Sequence, residues 1–179
     1  TMDNKDFKPY IPAEKITPEI TITSIVMGVL LAVIFGAANA YLGLRVGMTV
    51  SASIPAAVIA MGVIRVIMRK NSILESNIVQ TIGSAGESLA AGAIFTLPAL
   101  FLWAAEGKVD KPGLWEITAI ALIGGLLGVF FMVPLRNALI VKEHGVLPYP
   151  EGTACSEVLL AGEEGGAKAS TVFAGMGFA

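Results

Sequence analysis

The sequence predicts an all-α, polytopic transmembrane protein with about four complete spans, a broken or re-entrant helix and a truncated further span. Two observations predict this class. Of the 179 residues, 55% are hydrophobic and only 15% are charged, and the mean hydropathy is +0.75, whereas soluble domains carry about 25% charged residues. The apolar runs are also apolar all round, whereas the strands of a membrane barrel alternate apolar and polar residues.

Four uncharged runs are long enough, or nearly so, to cross the hydrocarbon core, which takes about 20 helical residues. They are residues 20–44, 46–64, 88–105 and 117–135. Thr17 and Pro18 precede the first run and predict that a helix begins there. Pro55 lies inside the second run and predicts a kinked span, since proline is tolerated in membrane helices.

The two ends of the chain differ from these runs. Residues 1–19 mix charges with prolines and predict a cytoplasmic N-terminal tail, followed by a transmembrane domain over residues 20–179. An inside N-terminus leaves only Arg45, Lys108 and Lys111 among the outside cations, in agreement with the positive-inside rule. Because the final uncharged run stops before it completes a span, we expect the chain to be the N-terminal portion of a longer protein.

Glu87 directly precedes the third uncharged run and belongs to the polar segment that leads into it. In an unbroken helix from Ile73, Glu87 would lie about 21 Å along the axis, where an ionised side chain costs a few kcal/mol. A break at residues 83–86, which contain two glycines, would instead make residues 73–82 a half-helix and place Glu87 in the first turn of the next helix. The helix dipole there favours a carboxylate by roughly 0.3–1 kcal/mol, so we predict the break.

Polar residues accompany Glu87. Asn77, Thr81 and Ser84 share one helical face at i, i+4 and i+7 spacing, and Gln80 lies beside it. Lipid disfavours such a stripe and a cavity favours it. We therefore predict that Glu87 contacts a proton or a substrate amine, and that Gln80, Asn77 and Ser84 line the cavity. The alternative is that Glu87 caps a helix at the cytoplasmic interface.

Two further regions contain candidate residues. Asn39, near the outer end of the first span, is either a site residue or an interhelical hydrogen-bonding group. Glu151 and Glu157 are lower-ranked second carboxylates. They lie in a predicted short helix capped by Thr153 or Ser156, which is either a re-entrant element or a surface helix.

Several functions are excluded by composition. No basic patch is present, so we expect no nucleic-acid partner. Cys155 is the only cysteine, so an intrachain disulfide is impossible, and Cys155 with His144 is too little for a metal cage. We expect no metal and no cofactor. No acid–base pair accompanies a nucleophile, so the sequence does not predict an enzyme.

Three motifs resemble the oligopeptide transporter family, in its prokaryotic branch, which is similar to the plant yellow-stripe-like metal-chelate carriers. They are "NAYLGLRVGMTVSASIPAAV", "SNIVQTIGSAGESLAAGAIFTLPAL" and "PYPEGTACSEVLLAG", and the resemblance covers roughly residues 16–165. It implies a secondary active transporter with many more spans than this chain holds.

The resemblance also implies an activity. We expect proton-coupled import of small oligopeptides or metal-chelate complexes by alternating access in the cell membrane. The partners would be membrane lipid, protons, the substrate and the remaining C-terminal part of the transporter. The alternative is a channel or a non-transporting membrane interaction subunit.

Overall fold

The computed structural model describes residues 10–12, 14–67, 69, 72–165 and 167–178, and within these ranges the chain is α-helical apart from its connections, with no strand. The prediction of an all-α protein is therefore confirmed. The helices are α1 (Ile22–Val46), α2 (Ser53–Gly62), α3 (Ile73–Ala105), α4 (Leu114–Arg136), α5 (Pro150–Glu164) and α6 (Ala167–Phe178). Turns of π-helix, Val63–Ile67 and Asn137–Lys142, follow α2 and α4.

Three segments of the described chain are long and apolar enough to cross a membrane: Ile22–Val46, Ile73–Ala105 and Leu114–Lys142. They correspond to the first, third and fourth predicted spans. The first begins at Thr21 rather than at Thr17. Thr21 and Ser24 form a capping box, in which each side chain accepts a hydrogen bond from the other residue's backbone N–H, at 3.1 and 3.0 Å.

The second predicted span takes a different form. Only ten residues, Ser53–Gly62, form α2, and residues 48–52 before it are not helical. Pro55 lies in the first turn of α2, where its missing N–H would have no partner within the helix. The prediction of one kinked helix over residues 46–64 is wrong because Pro55 marks the start of a short helix.

The predicted break in the third span is also wrong, because α3 is continuous over 33 residues. The glycines in residues 83–86 let α1 approach α3 closely. A Cβ at Gly83 would lie 3.3 Å from the Cβ of Leu31, and a Cβ at Gly86 would lie 2.7 Å from the Cα of Ala32. Close backbone approach at small residues is how membrane helices associate.

Helices α1 and α3 run parallel. Gly28 packs on Ile82 and, further along both helices, Gly43 packs on Ile94. The start of α3 is tied to the start of α1, since the Ser72 hydroxyl donates to the carbonyl of Pro18 at 3.1 Å. The chain must therefore return between the two helices.

This return is made by residues 48–52 and α2, which runs antiparallel to α3. The backbone N–H of Ala52 bonds to Glu87, whereas Ala56, further along α2, lies beside the earlier residue Gly83. A small core holds α1, α2 and α3 together, formed by Leu31, Ala56, Ala60, Ile64 and Val79.

Helix α5 packs alongside α2 and in the same direction. Glu151 contacts Ser51 near the start of both helices, and Gly162 faces Met61 near their ends. Cys155 and Leu159 are buried, so α5 belongs to the bundle rather than to the surface. The predicted caps of α5 are wrong, and Pro150 occupies the first turn instead.

The remaining predictions concern the chain ends. About half of the predicted tail, residues 1–9 and 13, lies outside the described residues. Within the described part, the Tyr10 hydroxyl donates to Glu163 at 2.9 Å. The residues of the predicted further span form part of α6, a helix of 12 residues, and its crossing of the membrane stays a prediction.

Candidate functional site

A polar cavity of about 460 Å³ lies between the middle of α3 and the N-terminal ends of α2 and α5. Its walls carry two carboxylates, several hydroxyls and two carboxamides. The lining residues are Ser51, Ser53, Asn77, Gln80, Glu87, Ser88, Glu151, Gly152, Cys155, Ser156 and Leu159. The predicted cavity beside Glu87 is therefore present in the structure.

Glu87 connects three elements of the fold. Its side chain is 9% exposed, and it lies about 21 Å from the start of α3 at 1.5 Å per residue. One carboxylate oxygen accepts from Nδ2 of Asn39 on α1, at 3.3 Å. The other accepts from the backbone N–H of Ala52, just before α2, also at 3.3 Å. Glu87 thus holds α1, α3 and the start of α2 together.

Asn39 completes this network. It is 3% exposed, and its Oδ1 accepts from the backbone N–H of Val50 at 2.9 Å. Together, Asn39 and Glu87 satisfy two amides of the non-helical segment 48–52. Irregular backbone is tolerated at membrane depth only where protein or cavity groups satisfy it. These two side chains therefore make the unwound segment possible.

The carboxylate of Glu87 also lies near the N-terminus of a helix, as the sequence analysis expected, but the helix is α2 rather than a second half of α3. The N-cap residue of α2 is Ala52, whose side chain cannot accept a hydrogen bond. A carboxylate from another helix at this end complements the positive end of the α2 dipole.

Glu151 lies at the corresponding end of α5. The Ser51 hydroxyl donates to its Oε1, and the Ser51 and Ser53 hydroxyl oxygens are 3.5 Å apart. Hydrogen bonds from Ser51 and then Ser53 lower the pKa of the exposed Glu151 carboxyl, because they stabilise its ionised form. Glu151 is thus a stable negative charge that joins α5 to the segment before α2.

Gln80 and Cys155 form the inner wall. Nε2 of Gln80 lies 3.9 Å from Sγ of Cys155, and Oε1 of Gln80 accepts from the Thr81 hydroxyl at 3.4 Å. Burial, and then the charge of Glu151, raise the pKa of the Cys155 thiol. The thiol is therefore neutral at physiological pH and serves as a weakly polar wall residue.

The other predicted residues occupy different places. Asn77 lines the cavity, although its side chain is exposed. Ser84 is not among the lining residues, and its hydroxyl donates to the backbone carbonyl of Thr81 at 3.2 Å. Glu157 is exposed on α5 and is also not among the lining residues. Asn39 bonds to Glu87 without lining the cavity itself.

The contribution of the segment before α2 was not predicted from the sequence. Ser51 and Ser53 are polar residues in an otherwise apolar run, and Pro55 follows them closely. Serines that precede a proline favour the start of a helix near them. In the structure Ser53 is the first residue of α2.

The fold and the cavity define a class: a multi-pass integral membrane protein with a polar cavity between its helices. Comparison with known proteins identifies the family. The family model described as OPT oligopeptide transporter protein matches residues 19–179. The chain belongs to this oligopeptide transporter family, as its three motifs predicted.

One relative illustrates the relationship. A protein of Haemophilus influenzae, named as a candidate oligopeptide transporter, is 46% identical over 122 residues, which cover 68% of this chain and 18% of the relative. The chain thus spans about a fifth of the length of that relative. No solved structure is significantly similar to the chain.

Proposed function

We propose that the full-length protein is a secondary active transporter, and not an enzyme, that imports small oligopeptides or metal-chelate complexes by proton-coupled alternating access. It would lie in the plasma or inner membrane with its N-terminus in the cytoplasm. The observation that carries the proposal is the position of Glu87. This buried carboxylate lines the polar cavity and also bonds to the backbone of the segment that leads into α2.

The hydrogen bonds of Glu87 support the proposal of proton coupling. As a carboxylate, it accepts from Asn39 at one oxygen and from the Ala52 N–H at the other. A proton bound to either oxygen would remove the negative charge that strengthens both bonds, although the protonated carboxyl keeps some acceptor capacity. Both bonds would weaken, so binding of a proton would loosen the segment 48–52 and the start of α2.

The same segment reaches the second carboxylate. The backbone N–H of Val50 bonds to Asn39, and the backbone N–H of Ala52 bonds to Glu87. Ser51 lies between these two residues, and its hydroxyl donates to Glu151 on α5. A change at Glu87 would therefore be transmitted to the contact between α2 and α5, which lies at the cavity wall. This is a physical route from proton occupancy to cavity shape.

The cavity suits a substrate that carries an ammonium group. Among the described lining residues, Glu87 and Glu151 are the charged groups, and no lysine, arginine or histidine accompanies them. Such a wall favours an ammonium group. The N-terminal ends of α2 and α5 already have the carboxylates of Glu87 and Glu151 beside them. Gln80 and Asn77 would add hydrogen bonds, either to a small peptide or to an amino-acid-like chelator.

The test uses the full-length protein in proteoliposomes, with radiolabelled trialanine as the probe. We expect saturable uptake that an inward proton gradient accelerates. Glu87→Gln keeps the shape of the side chain but removes its charge and its proton chemistry, so uptake should no longer respond to the gradient. Glu157→Gln is the matched control, because Glu157 lies outside the cavity lining, and it should respond as the wild type does.

Two results would contradict the proposal. If the Glu87→Gln variant responds to the gradient as strongly as the Glu157→Gln variant, Glu87 is not the coupling site. If wild-type uptake rises linearly with concentration and ignores the gradient, the protein is a channel. Absence of trialanine uptake is followed by the same assay with a nicotianamine–iron complex, and failure of both substrates contradicts transport of either class.

A further inference from the structure

Glycines between α1 and α3 face close neighbours. A Cβ at Gly28 would lie 2.7 Å from Cβ of Ile82, and one at Gly43 would lie 2.8 Å from Cδ1 of Ile94. Gly86 faces the backbone of α1 in the same way. Along the contact between α1 and α3, glycine therefore marks the places where the two helices come near.

Two glycines between α3 and α4 face open space. A Cβ at Gly92 or Gly124 would have no neighbouring atom within 4 Å, and a Cβ at Gly125 would lie 4.0 Å from Cδ1 of Leu89. Gly92 and Gly124 line a groove of about 300 Å³ between α3 and α4, here called the α3–α4 groove. Its residues are Ser88, Leu89, Gly92, Ala93, Thr96, Leu97, Ile120, Ala121, Gly124 and Gly125.

Helix α4 is otherwise without close partners among the described residues. None of its 23 residues is buried. Lipid covers large apolar side chains well, so exposure of residues such as Phe130, at 71%, needs no protein partner. Glycine is different, because it lowers helix stability by about 1 kcal/mol relative to alanine and offers lipid no side chain to contact. Close approach of another backbone would compensate for this cost.

We propose that the α3–α4 groove is the docking site for a transmembrane helix from the part of the carrier that lies beyond this chain. The matched 122 residues make up 18% of the Haemophilus influenzae relative, so that relative is about 680 residues long. The 179 residues of this chain are about a quarter of that length, so roughly three quarters of such a carrier lie outside the helices described here. The α3–α4 groove offers the small-residue surface that such a contact uses.

The proposed contact is independent of what the carrier transports or which ion drives it. It requires a helix that comes close enough to touch Ala121 and Gly124. Larger side chains at these two positions would prevent such close approach. A second copy of the chain and a lipid acyl chain are the competing occupants, and each gives a different cross-linking product.

The first experiment is photo-cross-linking in the full-length carrier, with p-benzoylphenylalanine at Ile120. Ile120 lines the groove and is large enough to be replaced by the probe. The control is the same probe at Val129, nine residues later and therefore on the opposite side of the helix at about 100° per residue. We expect an intramolecular product from Ile120, joined to a peptide outside residues 1–179, and no such product from Val129.

The second experiment changes side-chain size at matched positions. Ala121→Leu fills the groove, whereas Ala119→Leu makes the same change about 200° around the helix. We expect Ala121→Leu to lower the thermal unfolding midpoint of the full-length carrier in detergent, and Ala119→Leu to leave it unchanged. Equal midpoints would overturn the proposal, as would a probe at Ile120 that links only to lipid or to a second copy.

Discussion

Replacing Asn39 by alanine tests the hydrogen-bond network that supports the unwound segment. The substitution removes the donor to Glu87, at 3.3 Å, and the acceptor for the Val50 N–H, at 2.9 Å. Asn39 itself is 3% exposed, so water has little access to the space left behind. We therefore expect Asn39→Ala to lower the free energy of unfolding of the full-length protein.

The magnitude follows from the two bonds. A hydrogen bond to a charged group contributes about 1.5–3 kcal/mol and a neutral one about 1 kcal/mol. Val50 is exposed, so water can satisfy part of its N–H requirement, and the bond between Asn39 and Glu87 dominates. The expected loss is about 2–3 kcal/mol. Interhelical hydrogen bonds in membranes average about 0.6 kcal/mol in measured cycles, which sets the lower bound.

The assay is reversible unfolding in mixed detergent with increasing dodecyl sulfate, followed by circular dichroism. Asn77→Ala is the matched control, because it makes the same change in a helix at an exposed side chain. Any gain in helix propensity is common to both variants, so the difference between them isolates the network. A difference below about 0.5 kcal/mol would refute the bracing role of Asn39, because it falls under the membrane average.

Two further predictions concern helix packing and the second carboxylate. Gly86→Ala places a Cβ 2.7 Å from the Cα of Ala32, so α1 and α3 must separate. We expect a loss of about 1–3 kcal/mol, and an unchanged thermal midpoint would contradict it. Ser51→Ala removes the largest cause of the lowered pKa of Glu151, so that pKa should rise toward its ordinary value in a carbon-13 NMR titration. A carboxyl whose pKa is lower in the folded state than in the unfolded state stabilises the fold at pH values above its ordinary pKa. This stabilisation is lost as the pH falls through the lowered pKa. The variant should therefore lose less stability on acidification than the wild type, and identical titrations and acid profiles would exclude the contact.

Two of the long helices, α1 and α4, could be predicted from the sequence to within a few residues. The third uncharged run ends at residue 105, where α3 also ends, but α3 begins at Ile73 rather than at residue 88. The prediction of the second span as one helix was wrong because the length and hydropathy of an apolar run do not show whether the helix is continuous. Pro55 is compatible with either a kink or a helix start, and only the contacts of Ser51, Val50 and Ala52 distinguish them.

The wrongly predicted helix break at residues 83–86 came from considering the energy of one helix alone. An ionised Glu87 inside an unbroken helix is costly when the helix is considered alone, so a break appeared favourable. In the fold, Glu87 has two hydrogen-bond donors and the end of another helix beside it. Its cost is offset by groups that lie 35 to 48 residues away in the chain.

The sequence by itself determined that this is a membrane protein of the oligopeptide transporter family and where its long apolar segments lie. These are properties of composition, of motifs and of local periodicity, because a helix in lipid satisfies its own backbone. Only the tertiary structure decided which glycines bring helices together, which side chains hold the segment 48–52, and which helix end faces Glu87. Those outcomes depend on contacts between distant parts of the chain, and no local pattern specifies the partner of a buried polar group.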